Sequence, residues 1–317
     1  MEDFDDLVRR YRRELHVHCY RMLGSFDEAE EHVQEVFLRA WRSRECFQGR
    51  SSPRTWLYRV ATNACLDTLR RDARRAVPAS ARSGAGPSVA ALPWVQPYPD
   101  SLLEEMAAGQ PGPEAVTVDR ETISLAFLAA IQLLPPRQRA VLILRDVVSF
   151  PAAEVAGLLD MSVPAVTSAL QRARTTLRDQ WPDGRLDWAP AAEPDSGQRR
   201  LLQRFIAAHE QADPEALIEM LREDVRLAIS PQVGEWNGRP EVGDALRDGM
   251  NSLGRWRLLP ITANGQPGTA GYLRRPGETV FLPFVLGVLR FEDGRLADIA
   301  AFEQPSMFTA FGLPASL

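Results

Sequence analysis

The side chains of this chain that could do chemistry gather at four places. The first is "GRSSPRTWLYRVATNACLDTLRR", where Arg50, Ser51, Ser52, Arg54, Trp56, Arg59 and Asn63 crowd a loop and the start of the helix behind it. Guanidinium and hydroxyl groups at a helix start suit phosphate, and an indole there can stack on a base. Spacing alone fits Trp56 equally well to a core. The second is the run Val163–Arg178, whose outward side offers Thr167, Ser168, Gln171, Arg172, Arg174, Thr175 and Arg178, with no acid before Asp179. Such side chains read base edges and take phosphates. The third is scattered through the last third: His209, Asp224, Glu235, Trp236, Trp256 and Glu303 could line a pocket and hold an acid–base pair. No residue near the strand ends pairs with His209 by sequence, so a packed histidine fits it as well. The fourth is "HVHCY", where His16 and Cys19 lie one helical turn apart with His18 between them. No second ligand pair stands at a metal-site spacing, so neither a metal nor any other cofactor is expected.

Composition narrows the classes. At 317 residues there is room for two or three domains, each with its own core. The formal charge of -5 is unevenly spread, because arginines concentrate after Gly49 while acids sit at Glu2–Asp6 and Asp27–Glu35. A local basic face in an acidic chain points to nucleic acid where the overall balance does not. Every basic residue is arginine, which first reflects coding bias. Cys19, Cys46 and Cys65 do not form a paired framework, and no apolar run is long enough to span a membrane. The expectation is a reduced, cytoplasmic protein with no membrane partner.

The elements that must position these residues follow from periodicity. Residues 4–75 read as amphipathic helix. In "SFDEAEEHVQEVFLRAWR", Ala29, Val33, Val36, Phe37, Ala40 and Trp41 make one apolar stripe, and Ser25 with Glu28 fits a capping box. The opposite face carries Glu31, Gln34, Glu35 and Leu38, which spacing alone gives to solvent. The helix opened by Ser52 and Pro53 shows a doubled apolar repeat at Trp56/Leu57, Val60/Ala61, Ala64/Cys65 and Thr68/Leu69. Residues 76–113, rich in Pro, Gly, Ser and Ala, read as a flexible linker, with Trp94 and Tyr98 suggesting a few docked contacts. Residues 114–181 are helical again. There a short helix, a turn through Asp160–Ser162 and a longer helix with Val163, Val166, Leu170, Ala173 and Leu177 on one stripe form a helix-turn-helix pattern. Residues 196–317 open with helix and turn to strand, with Asp293–Gly294 a hairpin signal.

Together these stretches resemble the sigma-70 family, specifically the extracytoplasmic-function (ECF) RNA polymerase sigma factors. "HCYRMLGSFDEAEEHVQEVFLRAWR" with "FQGRSSPRTWLYRVATNACLDTLRR" is similar to region 2, and "IQLLPPRQRAVLILRDVVSFPAAEVAGLLDMSVPAVTSALQRARTTLR" to region 4. The last third resembles a SnoaL-like cone, which some ECF sigma factors carry behind region 4. The resemblance implies a multidomain chain: two all-α sigma modules, a region 2 helical bundle and a region 4 helix-turn-helix, then an α+β cone with a curved antiparallel sheet. It implies that Glu31, Gln34, Glu35 and Leu38 meet the clamp helices of the polymerase's largest subunit. Arg50, Ser51, Ser52, Arg54, Trp56, Arg59 and Asn63 would hold the melted −10 element, and Thr167, Ser168, Gln171, Arg172, Arg174 and Arg178 the −35 major groove. The expected function is an alternative sigma factor with no catalysis of its own, regulated by its C-terminal domain. A small-molecule ligand in that domain, near His209, Asp224, Trp236, Trp256 and Glu303, is a further candidate. The rival readings are a helix-turn-helix regulator independent of polymerase, and an enzyme with its site in the cone.

Overall fold

The structure is a computed structural model that describes residues 4–43, 52–72, 92–108, 120–180, 196–231 and 234–317. Its contacts divide the chain into two units. One comprises residues 1–87, 94–96 and 104–186; the other comprises residues 88–93, 97–103 and 187–317.

The first unit is helical. Helices α1 (Phe4–Leu23), α2 (Phe26–Arg42) and α3 (Pro53–Arg71) form its first half. Gly24, at φ 78°, turns the chain between α1 and α2 in a conformation that other residues adopt only with strain. The hydroxyl of Ser25 then accepts from the Glu28 amide at 3.3 Å and starts α2. A linker helix, α4 (Asp100–Ala108), follows, of which the residues from 104 on belong to this unit. The second half is α5 (Leu125–Gln132), α6 (Pro136–Leu142) extended by a π-helical turn (Ile143–Val147), α7 (Ala152–Leu159) and α8 (Val163–Gln180). The two halves share one core around α1, whose Leu15, Tyr20, Met22 and Leu23 are fully buried. Polar ties cross it. The buried Arg139 donates to the Met22 carbonyl at 2.5 Å and to Gln132 Oε1 at 2.6 Å, while Gln132 Nε2 donates to the Arg21 carbonyl at 3.1 Å. A buried guanidinium is tolerable only when so surrounded by acceptors.

The second unit stacks helices on a sheet. After α9 (Ser196–Glu210) and α10 (Pro214–Met220) come β1 (Leu221–Ser230), β2 (Gly234–Asn237), α11 (Arg239–Ser252), β3 (Arg255–Ala263), β4 (Gln266–Arg274), β5 (Leu282–Glu292) and β6 (Arg295–Phe302). The strand order is β2-β1-β6-β5-β4-β3, an open sheet. Every pairing is antiparallel except β1 with β6, which run parallel. Asp293 and Gly294, both at positive φ, make the β5–β6 turn, and Asn264–Gly265 make the β3–β4 turn the same way. The core sits between helices and sheet, around Phe205, Leu217, Val225, Val242, Leu289 and Ile299.

The stretch read as a linker with a few docked contacts is anchored in its middle, with Tyr98 among the docked residues as read. Leu92, Val95 and Tyr98 are fully or almost fully buried. In the first unit, Gln96 fills the corner between α1 and α2: its amide donates to the Gly24 carbonyl at 3.0 Å, and its side-chain oxygen accepts from Ser25 Oγ at 2.7 Å and from the Asp27 amide at 2.9 Å. In the second unit, residues 98–100 lie along the β3–β4 turn. The Tyr98 amide donates to Asn264 Oδ1 at 2.8 Å, the Asn264 amide returns a bond to the Tyr98 carbonyl at 3.0 Å, and the Asp100 carboxylate accepts from the Gly265 amide at 2.9 Å. A backbone that would be exposed in a free linker finds its partners here.

Candidate nucleic-acid interface

On α2, Val33, Val36 and Ala40 turn inward, and Glu31, Gln34 and Leu38 are exposed, as the heptad-like spacing requires. Glu35 is tied to Arg39 at 2.7 Å one turn on, which holds its carboxyl below the usual carboxylate range. Trp41 departs from the expected buried stripe. It is 47% exposed, packs edge-on against Phe4 at 5.0 Å, and joins Leu38, 51% exposed, in a small apolar patch beside the acidic row. It sits in the last turn of α2, past the end of the core that α1 supplies.

On α3 the buried face is Leu57, Tyr58, Ala61, Thr62, Ala64, Cys65 and Leu66, so the repeat read in sequence holds at Leu57, Ala61, Ala64 and Cys65 and is turned toward Tyr58, Thr62 and Leu66. Trp56 is thereby moved to a half-exposed position. Ser52 caps the helix, its hydroxyl accepting from the Thr55 amide at 3.1 Å. Arg54 is spent internally. Its guanidinium meets the buried Glu14 at 2.6 Å and lies over the rings of Tyr58 and Phe150 at 5.2 and 4.9 Å. Tyr58 completes the cluster by donating to Glu14 at 2.9 Å. Arg59 is exposed but reaches Asp160 at 3.2 Å, and Thr55 donates to Glu154 at 3.2 Å. Both acids belong to the helix-turn-helix, so α3 and α7 face each other. Asn63 is half-exposed; Arg50 and Ser51 lie outside the described residues.

The helix-turn-helix itself is well formed. α7 and α8 meet at 98°, near the usual angle for the motif. Asp160 closes α7 in the left-handed conformation at φ 50°, and the Ser162 hydroxyl accepts from the Ala165 amide at 3.3 Å to start α8. Val166, Ala169, Leu170 and Ala173 bury the inner face. Val163, expected on that stripe, is exposed because it lies in the first turn, before the helix meets its neighbours. Thr167, Ser168, Gln171, Arg172, Thr175 and Arg178 are all exposed, as read. Arg174 is exposed too, but forms a two-pronged pair with Asp146 at 2.8 and 2.9 Å, which raises its already high pKa.

The "HVHCY" side chains serve packing. His18 bonds the Thr62 hydroxyl at 2.9 Å, with burial pushing its pKa down to about 3, and His16 is buried near Glu30 with a pKa of about 4. Cys19 and Cys65 are buried thiols; Cys46 lies outside the described residues. In the second unit His209, Trp256 and Glu303 line one cavity. Asp224 and Trp236 do not. Asp224 pairs with Arg222 at 2.8 Å on the surface, which lowers its pKa, and Trp236 packs on the core from β2. Glu235 is exposed on the same strand. Sequence reading missed Gln96, Asn264 and Glu14. Only the Asn264–Gly265 pair carried a signal, as a hairpin turn.

Residues 7–75 match the family described as Sigma-70 region 2, and residues 124–177 match Sigma-70, region 4. The chain is 41% identical to the ECF RNA polymerase sigma factor SigG of Mycobacterium tuberculosis over 99% of this chain and 85% of that one. It is 27% identical to SigJ of the same organism over 82% of this chain and 73% of that one, and 29% identical to SigW of Bacillus subtilis over 57% and 89%. The crystal structure of the M. tuberculosis SigJ superposes with a TM-score of 0.60 at 21% identity, covering 99% of this chain and all of that one, so the fold is shared through the SnoaL-like C-terminal domain. With both sigma regions in order and a whole-length relative at this identity, the chain belongs to the extracytoplasmic-function sigma factors, the alternative sigma subunits that direct RNA polymerase to promoters.

Proposed function

We propose that α2 docks on the clamp helices of the core polymerase's largest subunit through Glu31, Gln34, Glu35 and Leu38, that α3 and the loop before it hold the −10 element, that α8 enters the −35 major groove, and that the free protein is closed against promoters. The observation that carries the closed state is the pairing of α3 with the helix-turn-helix through Arg59–Asp160 and Thr55–Glu154, about 3.2 Å each. Elements named −10 and −35 stand roughly 25 base pairs apart, about 85 Å along B-DNA at ~3.4 Å per pair. Helices in contact cannot serve both, so promoter binding requires α7 and α8 to leave α3. Arg59 is then released to phosphate, while Arg54 stays on Glu14 and shapes the base of the site. The SnoaL-like domain would regulate this step by holding residues 98–100 of the connection between the two sigma regions on its β3–β4 turn. The protein acts where the polymerase is, in the cytoplasm, and the polymerase does the chemistry. Glu31 and Glu35, which precede Leu38 on the same side of α2, suit a partner that sets a basic group beside an apolar spot.

Co-elution of the full-length chain with core polymerase tests the docking face. Glu35→Arg and Leu38→Asp are expected to weaken binding by more than about tenfold, while an exposed substitution elsewhere, Glu241→Gln on α11, leaves it unchanged. Equal binding by all four chains removes α2 from the interface.

A further inference from the structure

We propose that the SnoaL-like domain of one copy of this chain covers the α2 face of a second copy, seating a corner of its sheet on Glu31, Glu35, Leu38 and Trp41. Six large apolar side chains are exposed among the described residues: Leu38 and Trp41 on α2, Val163 at the start of α8, and Val280, Leu282 and Leu317 in the second unit. The last three stand together. Phe281, between Val280 and Leu282, exchanges two backbone bonds of 3.0 Å with Leu317, which ties residues 280–282 to residue 317. Arginines rim this spot. The guanidiniums of Arg274 and Arg257 lie over the Phe281 ring at 4.7 and 5.9 Å, and that of Arg275 lies over Phe284 at 5.5 Å. Arg255 stands directly opposite Arg274 in the β3–β4 ladder.

The charges at this corner are left over from folding. Arg222, Arg239, Arg247 and Arg290 of the same unit each meet a carboxylate. Arg255, Arg257, Arg274 and Arg275 meet none among the described residues. Glu278, the only acidic side chain between Asp248 and Glu292, accepts from the Arg275 amide at 2.9 Å. Like charges set opposite each other across a ladder destabilise it, so an acidic partner relieves a repulsion that the fold does not. Two copies of the corner cannot serve one another, because arginine would face arginine. DNA would meet the arginines but leave the apolar centre without a partner. What fits is a protein face with acids beside apolar side chains, and α2 carries one: Asp27, Glu31, Leu38 and Trp41 are exposed along it, with the half-buried Glu35 beside them. The inference rests on the reading of α2 as the polymerase-docking face for its consequence, which is that the domain of one copy competes with polymerase for the α2 of another.

The test is the mass of the full-length chain in sedimentation as its concentration rises from about 1 to 100 μM. The mean mass is expected to climb above the 35.3 kDa of one chain, and less so at high salt. Arg257→Glu with Arg274→Glu, on the corner, and Glu31→Arg with Glu35→Arg, on α2, are each expected to weaken association at least about tenfold. Mixing the two reversed chains sets opposite charges across the interface again and is expected to restore association, which two unfolded variants would not do. The proposal is overturned if the unaltered chain stays at one mass, if either reversed chain associates as the unaltered one does, or if the mixture does not recover. Core polymerase separates this inference from the reading it rests on. If the α2 reversal abolishes association and leaves polymerase binding intact, the pairing stands and α2 is not the polymerase face. If it abolishes polymerase binding in a chain that never associates, only the pairing falls.

Discussion

At the scale of single residues, the arginines of α3 divide by what they touch. Arg54 neutralises Glu14, which is 4% exposed, and removing one partner of such a pair strands a buried charge. Arg54→Ala is expected to cost about 3–5 kcal/mol in urea denaturation, whereas Arg59→Ala, whose pair with Asp160 lies in solvent, should cost under about 1 kcal/mol. Equal costs would mean that the Glu14 cluster is not a structural ion pair. The buried histidines make a second prediction. His16, His18 and His209 are held near 4, 3 and 4, below the ~6.5 of an unfolded chain. The unfolded state therefore binds more protons than the folded one below about pH 6.5. Their contribution is complete above that pH and is lost as pH falls toward 4 and 3. Near pH 5 the loss is about 2 kcal/mol for each histidine. Denaturation midpoints should fall between pH 7.5 and 5, less steeply in His18→Leu; a midpoint that holds or rises on acidification would contradict this.

At the scale of elements, the connection between the sigma regions shows what periodicity reveals and what it hides. The helix-turn-helix was legible, because a turn at Asp160–Ser162 followed by apolar residues at helical spacing admits few other structures. The exposed row on α8 followed from the same period. Val163 and Trp41 were misplaced because a stripe does not say where a helix outruns its neighbours. The partnership of Arg54 with Glu14 was not legible at all, since forty residues separate them and burial decides the pairing. The partner of residues 98–100 was hidden in another way: Tyr98 suggested a docked contact and Asn264–Gly265 announces a hairpin, but nothing local says that Asn264 Oδ1 will accept from a segment more than 160 residues earlier. That contact can be removed without disturbing the turn. Asn264 sits at φ 55°, which glycine adopts readily, so Asn264→Gly keeps the β3–β4 hairpin and removes the side chain that accepts from Tyr98. Amide hydrogen exchange over residues 97–103 is expected to speed up at least about tenfold while β3 and β4 stay protected. Unchanged protection of that segment would show that the Asn264 bond does not hold it.

At the scale of the whole molecule, the family assignment and the closed first unit pull in opposite directions, and the account rests on resolving them. A sigma factor must span two promoter elements, yet here Arg59 and Thr55 of α3 are engaged by Asp160 and Glu154 of the helix-turn-helix. The bonds joining α3 to α7 are exposed and weak, whereas those that tie α1 to α5 and α6 through Arg139 and Gln132 are buried. Opening must therefore break the second set, and core polymerase and promoter have to supply that free energy by binding the open form better. The most direct measurement is the distance between spin labels at Arg70→Cys on α3 and Gly157→Cys on α7, in a chain with Cys46→Ser, read free and in complex with core polymerase and promoter DNA. The account predicts a population under about 35 Å in the free chain, from helices in contact with ~1.5 Å rise per residue, and its disappearance in the complex. A short distance that persists on the promoter-bound polymerase would contradict the closed-to-open account.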